Sequence, residues 1–227
     1  MKIALLHALP FDERMWEPQL QALSDHEVHA PKLYDLGSST DEWALCVLQQ
    51  VPGQLVAVGA SMGGYTAAAL ARLAPERLLG IVLAGSRADA DPPERRPVRE
   101  QWIEIARERG GEGMWEEVAR NFFPEDADPA VVERAHAIAA EQKPDDLIRA
   151  IEAIRDRPDS TEAVVGLGGS LLVVAGERDP LIPAEVGQAL AAAAGGRVEV
   201  LAGCGHLPSM ERPDEFNRAL SSFLASL

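Results

Sequence analysis

The chain has 227 residues, 47% of them hydrophobic and 25% charged, the proportions of a globular protein able to bury a sizeable core. A net charge of −15 repels phosphate backbones and argues against nucleic acid as a partner, and no stretch approaches the ~18 apolar residues needed to span a membrane. Two cysteines, Cys46 and Cys204, make neither a disulfide framework nor a zinc site.

The first ten residues, MKIALLHALP, carry one Lys and a very short apolar run, which reads as a first strand, Lys2 to His7, rather than a leader peptide, and the protein as cytoplasmic. Met15, Trp16, Leu20 and Leu23 fall at helical spacing over 13–24, and Glu27 to Ala30 is a weak strand. Asp41 to Val51 reads as a helix ended by Pro52. Gln54 to Val58 is a strand running into Gly59-Ala60-Ser61-Met62-Gly63, an Ala-rich helix follows over 62–74, and Leu78 to Ala84 is a buried strand. After a long interval the alternation resumes: Ser170 to Ala175 a strand, 184–194 a helix, Val198 to Leu201 a strand, and 213–226 a helix opened by Pro213. Alternating strands and helices predict an α/β fold, a mostly parallel sheet flanked by helices on both faces.

The interval, residues 87–160, holds 12 basic and 19 acidic residues and no convincing strand. It carries four one-sided apolar stripes: Trp102, Ile105 and Ala106; Trp115, Val118, Ala119 and Phe122; Val131, Ala135, Ile138 and Ala139; Leu147, Ile148, Ile151 and Ile154. This predicts a helical cap over 87–160 inserted into a core domain made of 1–86 and 161–227.

The chemistry concentrates at three strand ends. Gly59-Ala60-Ser61-Met62-Gly63 matches G-x-S-x-G between a strand and a helix, a sharp turn that exposes the Ser61 hydroxyl and aims the Met62 N–H at a developing oxyanion. A serine hydroxyl needs a base, and His206 follows the last strand. The base needs an orienting acid, and Asp179 follows the preceding strand; Glu177, Asp89 and Asp91 are rival acids. In an open α/β sheet these strand ends share one crevice, and the order Ser, Asp, His fits such an arrangement. A second oxyanion donor is expected from the loop His7-Ala8-Leu9-Pro10-Phe11; Pro10 has no N–H, which leaves Leu9. His7 reads as a histidine that shapes this loop, and Cys204 as a small buried residue.

The segments HALPFDERMW, VGASMGG, GERDPLIP and CGHLPSMERPDEFNRALSSFL resemble the α/β-hydrolase superfamily, and within it 3-oxoadipate enol-lactonases and small carboxylesterase-like members. The resemblance covers nearly the whole chain except 87–160. Ala8 stands where such proteins usually carry glycine, and the two antiparallel strands that commonly begin the fold are missing, so the chain looks trimmed at its N-terminus. The resemblance implies a hydrolase that uses no cofactor or metal and acts on a small-molecule ester or lactone through Ser61, His206 and Asp179, with Leu9 and Met62 as the oxyanion hole. Two other classes share these residues: cofactor-free haloperoxidases that form peracids, and members that bind a small molecule and signal to a partner protein. Arg95, Arg96 or Arg99 could pair with a substrate carboxylate, but in so acidic a segment the preferred reading is solvated surface charge.

Overall fold

Each of the six runs read as strands forms one. The computed structural model describes residues 1–227 and contains β1 (Lys2–Leu6), β2 (Glu27–His29), β3 (Leu55–Ala60), β4 (Leu78–Ala84), β5 (Leu171–Gly176) and β6 (Arg197–Leu201). They make one sheet in the order β2-β1-β3-β4-β5-β6, and every pairing is parallel. The inner strands are apolar apart from Lys2 at the start of β1, because helices cover both their faces; β3 and β5 are buried at every residue. β2 and β6 are the edges, and β6 is exposed up to its last residue, as its alternating charges require.

Ten helices connect and cover the strands: α1 (Glu17–Ala22), α2 (Thr40–Gln50), α3 (Met62–Leu73), α4 (Arg96–Glu117), α5 (Pro129–Ala140), α6 (Pro144–Arg155), α7 (Thr161–Gly166), α8 (Ala184–Ala194), α9 (Pro208–Glu211) and α10 (Pro213–Leu224). Their ends follow local chemistry. The Ser39 side chain accepts the Glu42 N–H at the start of α2, Asp128 accepts the Ala130 N–H before α5, and Gly195 ends α8 in the left-handed conformation. The helix expected over 13–24 is instead a 3-10 turn, Glu13–Trp16, followed by α1, whose first turn holds Pro18.

Only helices and short turns lie between β4 and β5. The second apolar stripe does not form a helix of its own. α4 runs on through Trp115 with a kink at Gly110 (φ 58°, ψ −145°), and a 3-10 turn, Ala119–Phe122, finishes the stripe. The kink seats Gly111 against α5 so closely that a Cβ there would stand 2.1 Å from the Ala139 carbonyl oxygen. α5 and α6 each pack on α4, whereas α7 packs on α3 and α8. The segment leaves and rejoins the sheet at nearly one point: Ser160 N–H donates to the Ala88 carbonyl (2.9 Å) and Arg157 Nε to the Asp89 carbonyl (2.9 Å). A single apolar core runs from the sheet into these helices through Ile103, Met114, Ile138, Leu147 and Ile151. No helix is long and apolar enough to cross a membrane.

Candidate active site

The register aligns the carboxyl ends of the strands: Ala60 lies opposite Ala84, and Gly176 opposite Leu201. The loops after β3, β5 and β6 therefore emerge on one rim. At the first of them Ser61 has φ 46° and ψ −110°, the one non-glycine residue with positive φ. Such a conformation costs on the order of 1–3 kcal/mol and persists only when its surroundings impose it. Here Ser61 N–H donates to the Ala84 carbonyl (2.9 Å), while the Ser61 carbonyl accepts from Gly64 N–H (2.9 Å) and the Ser86 hydroxyl (2.8 Å).

Three of the expected residues meet in one chain of hydrogen bonds. His206 Nδ1–H donates to Asp179 Oδ2 (2.7 Å), which leaves Nε2 to accept the Ser61 hydroxyl at 2.8 Å. Both the imidazole and the Asp179 carboxyl are fully buried. Asp179 Oδ1 accepts the Leu181 N–H (2.8 Å) and the Ile182 N–H (3.0 Å). Burial alone would raise the Asp179 pKa; the His206 charge and hydrogen bond, with the two amides, outweigh it and hold the carboxyl below its ordinary value.

The rival acids are engaged elsewhere. Glu177 accepts the Gly203 N–H, Asp89 pairs with Arg87, and Asp91 pairs with Arg99 and Arg157. Leu9 lines the pocket in front of Ser61, and its N–H donates to no acceptor in the chain. Met62 heads α3, where the first N–H groups have no helical partner. His7 is buried, donates Nδ1–H to the Ala8 carbonyl (3.1 Å) and accepts the Leu33 N–H at Nε2 (2.8 Å), so it ties the Leu9 loop to the next turn. Burial lowers its pKa to about 4, which keeps it neutral. Cys204 is buried, and burial pushes its thiol well above the ordinary value.

Two further residues support His206. Glu211 is buried and grips both amides beside the histidine: Gly205 N–H to Oε2 (2.8 Å) and Leu207 N–H to Oε1 (2.9 Å). Burial raises its pKa against the pull of these two bonds. The Phe122 carbonyl accepts the His206 N–H (2.9 Å), and the Phe122 ring meets the imidazole edge-on at 4.9 Å. The sequence did hold a clue to Glu211, an acid in HLPSMERP just after the histidine, but only the short α9 turn brings it back to the loop.

The pocket before Ser61 is tight, a cavity of about 20 Å³, walled by Tyr65, Trp102, Phe122, Ile154, Leu181 and Ile182 together with Arg95 and Arg99. The expectation of solvated arginines fails for two of the three. Arg96 is exposed, Arg95 is half-buried, and Arg99 is 3% exposed. The 3-10 turn Pro93–Arg95 and the start of α4 lie at the rim, so Arg95 and Arg99 line the pocket while Arg96, Pro97 and Val98 face water.

Comparison with known proteins agrees with this architecture. A profile described as Alpha/beta hydrolase family matches residues 3–219. A solved structure of a thermophilic esterase from Thermogutta terrifontis is 30% identical, with TM-score 0.91, covering 100% of this chain and 90% of that one. The 3-oxoadipate enol-lactonase 2 of Acinetobacter baylyi is 28% identical over 190 residues, 82% of this chain and 68% of that protein. A pimeloyl-[acyl-carrier protein] methyl ester esterase of Yersinia enterocolitica is 34% identical over 92 residues, 37% of this chain and 36% of that protein. The chain thus spans between about a third and two thirds of the length of the curated relatives it matches. With a family match over nearly all its residues and the strand-end loops that the fold requires, this chain belongs to the alpha/beta hydrolase family.

Proposed function

We propose that the protein is a serine hydrolase of small carboxylic esters or lactones that works through an acyl-enzyme and without a cofactor. The observation that carries this reading is the unbroken hydrogen-bond chain Ser61–His206–Asp179, whose serine and histidine line a narrow pocket. In it, Ser61 Oγ attacks the substrate carbonyl carbon as His206 Nε2 takes its proton, and Asp179 holds the imidazole and stabilises its cation. The N–H groups of Met62 and Leu9 receive the oxyanion, each worth roughly 3 kcal/mol. His206 returns the proton to the leaving oxygen, then draws one from water as it attacks the acyl carbon, and Ser61 is regenerated. We assign residues 87–160 the role of cap: they supply Trp102, Phe122 and Ile154 to the pocket wall and restrict it to small groups. The Thermogutta and Acinetobacter relatives, an esterase and an enol-lactonase, support the same class.

A fluorophosphonate probe tests this. It is expected to label the native protein once, on the peptide containing Ser61, and to abolish release of p-nitrophenol from p-nitrophenyl butyrate in proportion. Full turnover by completely labelled protein, or label on another residue, defeats the reading. Glu211→Gln puts an amide NH₂ group against an N–H that now has a carboxylate acceptor. The resulting shift of the His206 loop is expected to lower kcat roughly 10- to 100-fold with KM little changed, measured by steady-state kinetics on the same ester.

A further inference from the structure

The wall of the pocket holds more positive charge than its carboxylates balance. Asp91 is buried beside it and takes a two-point grip from Arg99, Nε to Oδ2 (2.9 Å) and Nη2 to Oδ1 (2.9 Å). The same Oδ1 also accepts Arg157 Nη1 at 2.8 Å, so two guanidinium groups share one carboxylate. Arg157 lies over the Tyr65 ring at 4.0 Å and Arg99 over the Trp102 ring at 4.6 Å, which fixes both in place. Arg87 is neutralised by its own partner, Asp89.

Arg95 has no such partner. It lines the pocket with Ser61 and His206, is half-buried, and its guanidinium makes no hydrogen bond or ion pair within the chain. Burial and the neighbouring Arg99 charge both press its pKa below the ordinary guanidinium value, yet a guanidinium at neutral pH remains charged. Arg95, Arg99 and Arg157 against the single Asp91 leave two positive charges in excess, inside a protein whose net charge is −15. A half-buried cation crowded by another cation is unfavourable unless an anion completes it. The five N–H donors of a guanidinium match a planar carboxylate, and a lone free guanidinium matches a monoanion.

Resting on the serine hydrolase reading, we propose that Arg95 binds a carboxylate of the substrate, which is therefore an ester or lactone carrying a second, free carboxylate. Because Ser61 and Arg95 wall the same tight cavity, the spacer between the scissile carbonyl and that carboxylate is short. Arg99, held by Asp91 and Trp102, adds its charge from the same wall without giving up its own partner.

Two arms test the proposal. In the first, hydrolysis of monoethyl glutarate is compared with that of ethyl pentanoate, which puts a methyl where the carboxylate stands. The wild type is expected to prefer the acid ester, and Arg95→Gln to lower the ratio of the two kcat/KM values roughly 10- to 100-fold, with Arg95→Lys in between. In the second arm, glutarate is titrated calorimetrically into Ser61→Ala and into Ser61→Ala carrying Arg95→Gln. Binding by the first that weakens at least roughly 10-fold in the second, and weakens with added salt, supports the site whatever the fate of the ester assay. If neither ester is turned over while glutarate binding depends on Arg95, the hydrolase reading falls and the anion site stands. If both esters are cleaved, the ratio ignores Arg95 and glutarate binds both proteins alike or neither, the site is overturned and the hydrolase reading stands. A melting curve for each variant shows that it is folded, and Arg95→Lys supplies the comparison if Arg95→Gln is not.

Discussion

Replacing Ser61 by Ala is expected to lower kcat/KM for p-nitrophenyl butyrate by a factor on the order of 10⁴ or more, with the melting temperature unchanged or raised. The rate falls because the only hydroxyl within reach of His206 Nε2 is gone. The stability does not fall, because the backbone bonds that impose φ 46° are all kept, and a catalytic hydroxyl is commonly held at some cost to stability. Asp179→Asn is expected to cost a comparable factor, roughly 10⁴, because an amide that donates toward Nδ1 favours the wrong tautomer and leaves Nε2 carrying the proton it should accept. The losses do not multiply: the double variant should be no slower than about the worse single one, since the groups act as a unit. Glu177→Gln, two residues before Asp179 but bonded to the Gly203 N–H, should stay within several-fold of wild type. A Ser61→Ala protein retaining a tenth of the activity would remove the serine from the chemistry.

The second large effect is structural. Gly63→Ala is expected to destabilise the protein by about 3 kcal/mol or more, or to prevent folding. A Cβ at this position would stand 1.9 Å from the Leu6 carbonyl oxygen and 2.3 Å from its carbon, both backbone atoms of β1. No rotamer relieves that contact, so α3 must retreat from the sheet and carry the Ser61 turn with it. For a chain of this size the loss corresponds to roughly 10 °C in Tm, read by circular dichroism. Gly166→Ala is the control: a Cβ there meets nothing within 4 Å, and its melt should match wild type closely. If Gly63→Ala melted with it, the close approach of helix and strand would be refuted.

Much of this molecule is legible before folding. The inner strands announce themselves as apolar runs because both faces of a parallel sheet are buried, and Ser61 and Asp179 follow two of them, whereas His206 follows the exposed edge strand β6. What resists reading is whatever depends on how helices pack. The kink at Gly110 follows from contact with α5, which no periodicity encodes. The four-residue α9 turn is too short for a hydrophobic period, so the return of Glu211 to the His206 loop goes unseen. Arg95 and Arg96 are adjacent and chemically identical, and only the angle at which α4 crosses the rim buries one against the pocket and leaves its neighbour in water.

The narrow neck at Ala88 and Ser160 bears on how such a protein can change over generations. Closing a long excursion costs only a little more entropy when it grows, provided its two ends already lie side by side. The helices above that splice point can therefore lengthen or shorten at little entropic cost, provided the Phe122 carbonyl and ring stay against His206.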